Sequence, residues 1–327
     1  SHITIHTSRF THHDWRPTAH KSRPFSRHCS TIIEDIMPNN VTGDPRRAFQ
    51  FLDLNDRGEK PREVGVTEIR GPYYSPMGPN YLDDVLSTMG HYVDSLKFAG
   101  GSFSLMPEAE VQTLLDLAHD HDVMVSTGGF MEHVLSQGTD AVYRYIDECA
   151  RLGFDIIEIS AGFITLPTDD WLRLIDAVQD AGLKAKPEVG IQHGAGGGAT
   201  TTEELEQIGQ QDPSQAIAQA KRFLDAGASQ IMMESEGITE NVPEMRTDIP
   251  ARFIDELGLE NLMFEAADPH VFHWYVQNYG PEVNLFVDHS QIVQLECLRS
   301  GIWGPHDLFG RVHTFKGAPG ADPAESV

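Results

Sequence analysis

Residues 168–190 read TDDWLRLIDAVQDAGLKAKPEVG. Leu172, Ile175 and Val178 recur at three-residue spacing, which places apolar side chains on one face of a helix. Gly182 stands where that helix must stop, because a left-handed cap is most easily adopted by a residue without a Cβ. Leu183–Pro187 follows as a short run with the length of a strand. Helix, glycine stop and strand therefore occupy one compact stretch, the repeating half of a βα unit.

The same unit recurs along the chain. Strand-like runs lie at Val64–Ile69, Ser95–Phe98, Val123–Ser126, Ile156–Ile159, Leu183–Pro187, Gln230–Met233, Leu262–Phe264 and Val283–Val287. Helical patterns separate them, as where Val111, Leu114, Leu115 and Ala118 share a face. Gly153 and Gly227 repeat the position of Gly182. Eight strands alternating with helices over about 250 residues predict a single (β/α)8 barrel, a TIM barrel of the α/β class. A doubly wound open sheet is the alternative, but no GxGxxG follows the first strand. The barrel is expected over residues 46–312, after a flexible arm at 1–45 and before a tail at 313–327. The arm lacks periodicity and carries six histidines in its first 28 residues. It reads as a floppy segment, a targeting peptide or a mis-called start.

Composition narrows the function. Of 327 residues, 49 are acidic and 24 basic, for a formal charge of −25. Such a surface disfavours nucleic acid and suits either ordinary solubility or a high-salt medium that screens the repulsion. No apolar run reaches the ~20 residues that span a bilayer. Cys29, Cys149 and Cys297 include no CxxC pair, which fits a reducing cytoplasm and argues against a disulfide framework.

In a barrel of this kind, chemistry gathers where strands end. Those ends carry Glu68 and Arg70, Lys97, Ser126 and Thr127 with Glu132 and His133 in the following loop, Glu158 and Ser160, Lys186 and Glu188, Glu234 and Glu236, Glu265 and Asp268, then Asp288 and His289. Any one of them could be a solvated or salt-bridged side chain. Polar groups at all eight ends describe a pocket. Glu158, Glu188, Glu234 and Glu265 would converge there, and converging carboxylates need neutralisation. Either a divalent cation or the set Arg70, Lys97 and Lys186 can supply it. Oxygen ligands without cysteine favour Mg²⁺ or Mn²⁺ over zinc. His133, His193 and His289 are candidate acid–base groups. Gly190–Asp212, with Gly194, Gly196, Gly197 and Gly198, could cradle phosphate, act as a lid, or be a plain insertion.

Several stretches resemble the phosphosulfolactate synthase family. They are Lys60-Pro-Arg-Glu-Val-Gly-Val-Thr-Glu-Ile-Arg-Gly-Pro, Asp94-Ser-Leu-Lys-Phe-Ala-Gly-Gly-Ser, Gly153-Phe-Asp-Ile-Ile-Glu-Ile-Ser, Lys186-Pro-Glu-Val-Gly, Val283-Asn-Leu and Leu295-Glu-Cys-Leu-Arg-Ser-Gly. The resemblance runs in strand order from about Arg47 to Gly304. Gly101-Ser-Phe-Ser-Leu-Met-Pro and Asn284-Leu-Phe-Val-Asp-His-Ser-Gln are similar to the branch that holds plant heat-stress-associated barrel proteins. The resemblance implies a barrel enzyme that uses Mg²⁺ to add sulfite to phosphoenolpyruvate, giving (R)-2-phospho-3-sulfolactate, a step towards coenzyme M. It also implies small anionic substrates and a homo-oligomer. On that reading Lys97, Lys186 and Arg70 are catalytic. Ser160, His193, Asp288 and His289 bind substrate, and Glu158, Glu188, Glu234 and Glu265 hold the metal.

The chain departs from the family where cations matter. The first strand of the synthases ends Asp-Lys-Gly, and here Arg70 takes the lysine position. Ile191, Gln192 and His193 follow the fifth strand where the synthases often carry lysines. Glu234-Ser-Glu-Gly lacks a typical arginine. Three functions are consistent with this: the synthase itself, a related metal-dependent enzyme acting on another enol or carbonyl compound, and a non-catalytic stress-associated binding protein.

Overall fold

Eight parallel strands close into a barrel in the order β1 to β8, with β8 pairing back onto β1. A computed structural model describes residues 48, 49, 51, 52, 54, 55, 57–162, 164, 166–191, 213–266, 268–304 and 312. The expected arm at 1–45 and the tail at 313–327 lie outside them. The strands are β1 Thr67–Arg70, β2 Ser95–Lys97, β3 Met124–Ser126, β4 Ile156–Ile159, β5 Lys184–Val189, β6 Ile231–Met233, β7 Leu262–Glu265 and β8 Leu285–Asp288. Each falls on an apolar run of the sequence. The open-sheet alternative is excluded by the β8–β1 pairing, which sets Thr67 against Leu285 and Arg70 against Asp288.

The helices among the described residues are α1 Pro79–Met89, α2 Glu108–Asp120, α3 Met131–Leu135, α4 Thr139–Leu152, α5 Thr168–Asp180, α6 Ser214–Asp225, α7 Asp248–Leu257, α8 Pro269–Tyr279 and α9 Ile292–Arg299. None is long and apolar enough to cross a membrane. In α5 the buried face is Trp171, Leu174, Ile175 and Val178. Leu172 is only partly buried at its margin, so the true stripe is one residue round from the expected one. Gly153 ends α4 at φ 93°, in the left-handed region, and its N–H donates to the Cys149 and Ala150 carbonyls.

Strand alternation sorts side chains into two compartments. Outward residues such as Ile69, Leu96, Val125, Ile157 and Val287 pack beneath the helices. Val66, Met232, Met263 and Phe286 form a separate apolar cluster. Between these lie Glu68, Ser95, Lys97, Glu158 and Lys186, all buried. A barrel core filled with charges is expensive unless every charge is paired, so the pairing decides what the interior is for.

The N-terminal end is closed by a different network. Arg299 of α9 is wholly buried and donates to the Gly65 and Val283 carbonyls and to Thr67 Oγ1. Glu296, one turn earlier, pairs with it at 3.3 Å and with Arg57 at 2.9 Å. Asn284 accepts from Val66 N–H and donates to the Leu262 carbonyl.

Candidate active site

The deepest polar layer joins four charged residues from β1, β2, β4 and β5. Lys186 Nζ lies 2.7 and 2.6 Å from the two oxygens of Glu68. Glu68 also accepts from Ser95 Oγ at 3.1 Å. Glu158 Oε2 stands 2.8 Å from Lys97 Nζ and 3.4 Å from Lys186 Nζ. Register explains the second contact, since Glu158 and Lys186 are partners across β4 and β5. Two ammonium groups and two carboxylates make this layer neutral. Lys97 continues upward, with Nζ 4.0 Å from the Phe286 ring and 3.7 Å from Glu265 Oε1.

The environment fixes the charge states. Burial pulls the Lys97 ammonium towards neutrality, but Glu158, Glu68 and Glu265 outweigh it and hold the pKa above the usual lysine range. Burial likewise opposes ionisation of Glu158, yet Lys97 and Lys186 keep it below the usual carboxylate range.

Two residues further along the strands lies a second layer, at the mouth. Glu188, Glu234 and Glu265 are partly buried here. Ser235 Oγ donates to Glu265 Oε2 at 3.0 Å and approaches Glu234 Oε1 at 3.4 Å. Glu236 N–H donates to Glu234 at 3.0 Å. Burial, then repulsion from Glu234, Glu158 and Glu265, drives Glu188 well above the ordinary carboxylate range. Burial and Glu265 push Glu234 up to about 8. Arg70 is the cation of this layer. Its guanidinium lies 5.0 Å from both the Tyr74 and Phe286 rings and donates to Tyr74 Oη at 3.1 Å. Its buried Nε has no hydrogen-bond partner.

A hard divalent cation suits the oxygen chemistry of Glu188, Glu234 and Glu265, since burial and mutual repulsion raise Glu188 and Glu234 for want of positive charge. Among the described residues no group of three His, Cys, Asp or Glu side chains is closed up as a metal cage. Glu158 fits the cation least, because both lysines already claim its Oε2.

The remaining expected residues separate. Ser160 donates to Glu132 Oε2, whose other oxygen accepts Gly162 N–H at 3.2 Å. The hydroxyl hydrogen of Ser160 is thus committed, and only its lone pairs face the pocket. Asp288 caps the turn after β8, accepting from Ser290 N–H at 3.0 Å and Oγ at 2.6 Å. His289 Nδ1 lies 2.9 Å from the Arg70 carbonyl, which can only accept, so Nδ1 carries the proton. Its Nε2 lies 3.0 Å from Tyr81 Oη. Both ring nitrogens are engaged in tying the end of β1 to α1, and neither is free for a substrate. His133 is itself exposed on α3, with Nε2 2.8 Å from Gln137 Nε2. His193 and the glycine-rich segment fall outside the described residues. Glu132, which the sequence offers just after the third strand, lies on α3, whereas Ser235, which strand patterning does not single out, lies just beyond β6.

Residues 55–305 match the family model described as (2R)-phospho-3-sulfolactate synthase (ComA). The chain belongs to the phosphosulfolactate synthase family. Over 258 residues it is 41% identical to Protein HEAT-STRESS-ASSOCIATED 32 of Arabidopsis thaliana, covering 76% of this chain and 90% of that protein. It is 29% identical over 273 residues to the phosphosulfolactate synthase of Methanothermobacter thermautotrophicus, covering 81% and 99%. With the phosphosulfolactate synthase of Bacillus subtilis the identity is 25% over 260 residues, covering 77% and 95%.

Proposed function

We propose that this family member is a Mg²⁺-dependent carbon–sulfur lyase that adds sulfite to phosphoenolpyruvate, giving (R)-2-phospho-3-sulfolactate. The observation that carries the reading is the pair of buried ammonium groups, Lys97 and Lys186, fixed by Glu158 and Glu68 beneath a carboxylate-lined mouth. Sulfite attacks the methylene carbon, and negative charge grows on the substrate carboxylate. Lys97 answers that charge as a permanent cation, because its raised pKa makes it a poor proton donor. Lys186 is left to deliver the proton to the adjacent carbon. Arg70, stacked on Tyr74 and Phe286, offers a planar fork to the phosphate. A divalent cation held by Glu188, Glu234 and Glu265 would act as a Lewis acid towards the substrate's oxygens.

A second reading, a related enzyme with another enol or carbonyl substrate, is favoured by the balance of charge. The strand ends that carry Arg70 also carry four carboxyl groups, Glu188, Glu234, Glu265 and Asp288, a balance poorly suited to two anions. One assay separates the two readings. Purified protein is given phosphoenolpyruvate, sulfite and Mg²⁺ at low and at molar salt, and product is read by mass. Sulfite-dependent phosphosulfolactate, lost in Lys97→Ala, supports the synthase. Its absence from folded protein at both salts overturns the synthase and leaves the second reading.

A further inference from the structure

Phe286 on β8 is 2% exposed, and its side chain packs with Val66, Met232 and Met263. Its backbone is in register with Glu68 on β1 and Glu265 on β7. Its carbonyl accepts Ala266 N–H at 2.9 Å. The ring is therefore a fixed surface. Two cations from two other strands lie against it: Lys97 Nζ is 4.0 Å from the ring centroid, and the Arg70 guanidinium carbon is 5.0 Å from it. Both distances fall within the range in which a ring face attracts a cation. Because both are measured to one point, the two cations can stand no further apart than those distances together.

Like charges brought together repel unless something holds them. Lys97 has counterions, Glu158 at 2.8 Å and Glu265 at 3.7 Å. Arg70 rests on aromatic groups. Its guanidinium lies 5.0 Å from both the Phe286 and Tyr74 rings, and its Nη1 donates to Tyr74 Oη at 3.1 Å. Tyr74 is 75% exposed, so Phe286 is the wall that cannot move aside. A carboxylate in its place would also hold both cations, but it would neutralise them and oppose an entering anion. A ring attracts through its quadrupole and adds no net charge. We propose that Phe286 is a positioning residue, whose ring holds Arg70 and Lys97 together so that both cations act on one anionic substrate. This rests on the reading that the mouth receives phosphoenolpyruvate, and it assigns the residue that sets how the cations are presented there.

Calorimetry reads the affinity of the full chain for phosphoenolpyruvate with Mg²⁺ present. Phe286→Leu keeps an apolar side chain but removes the ring, and the affinity is expected to fall about fivefold or more. A trifluorinated phenylalanine introduced in place of Phe286 keeps the shape but drains negative charge from the ring face. It is expected to lose part of the same affinity, whereas a merely structural role would leave it at the parental value. In an Arg70→Ala background Phe286→Leu is expected to cost distinctly less, because one of the two cations it holds is gone. Circular dichroism and the melting temperature establish that the variants fold, and if Phe286→Leu does not, the fluorinated ring decides alone. Parental affinity in the fluorinated variant overturns the assignment, as does a Phe286→Leu loss that is the same with and without Arg70. The synthase reading fails separately, on the sulfite-dependent product. Product together with binding that ignores fluorination sinks only the positioning role. Binding that responds to fluorination, without product, sinks only the synthase. No binding of phosphoenolpyruvate by the unaltered chain overturns both.

Discussion

Lys186 on β5 reaches across the barrel to Glu68 on β1 and meets both of its carboxylate oxygens, at 2.7 and 2.6 Å. These strands lie opposite one another in the eight-strand ring, so the ion pair spans the interior. Neither residue has water to fall back on, since Glu68 is 0% and Lys186 2% exposed.

That isolation sets the cost of breaking the pair. Glu68→Gln leaves an ammonium buried with only the more distant Glu158, and the expected loss is about 3–5 kcal/mol. The double variant Glu68→Leu with Lys186→Met replaces both charges by apolar groups of similar size and is expected to recover most of that loss. Urea unfolding of the two singles and the double measures the coupling. Purely additive effects would show that the pair does not act as a unit.

A divalent cation at the mouth would stabilise the folded chain by mass action. At a hundredfold excess over its Kd, Mg²⁺ or Mn²⁺ is expected to raise the melting temperature by roughly 5–10 °C. Glu234→Gln and Glu265→Gln should lose this rise. Glu158→Gln should melt lower throughout yet keep it, because Glu158 answers to the lysines. A rise that disappears with Glu158→Gln and persists in the other two would place the cation in the lower layer instead.

The carboxyl of Glu234 gives a pH dependence with a defined sign. Its folded value of about 8 stands above the ordinary 4.5, so the folded chain binds this proton more tightly than the unfolded chain. The stability it supplies is complete below about 4.5 and disappears as pH climbs to about 8. In metal-free buffer the melting temperature should therefore decline between pH 5 and 8.5, and Glu234→Gln should flatten part of that decline. An unchanged decline in the variant would assign it to the acidic surface as a whole.

The sequence made the strands legible because each is a short apolar run, and those after the first follow a helix and often a capping glycine, as at Gly153 and Gly182. It also placed Lys97, Lys186, Glu158, Glu188, Glu234 and Glu265 at strand ends, since alternation fixes which side chains face inward. It could not pair them. Whether Glu158 meets a cation or a lysine depends on how β4 and β5 register, a fact of barrel closure. His289 and Asp288 looked like substrate contacts for the same reason. Their partners, Tyr81 and Ser290, are set by loop geometry, and periodicity carries no information about that. The motif Leu295-Glu-Cys-Leu-Arg-Ser-Gly was legible as family-like, but its work is structural, at the opposite end of the barrel from the chemistry.

That structural role is open to test through Glu296. Its carboxylate separates two guanidinium groups, Arg57 at 2.9 Å and Arg299 at 3.3 Å. Arg299 is fully buried and pinned by the Gly65 and Val283 carbonyls, so it cannot swing out to water when its counterion is removed. Glu296→Gln keeps the shape but leaves two like charges facing each other, and the expected loss is about 3–5 kcal/mol. Adding Arg57→Met removes the repulsion at its less buried partner and should restore a good part of the loss. Because this network lies beneath the strands, any Mg²⁺-dependent shift in melting temperature should survive in Glu296→Gln with its size unchanged. Chemical unfolding with and without Mg²⁺ reads both effects. A variant as stable as the parent would show that the guanidinium–carboxylate cluster is not what closes the barrel floor.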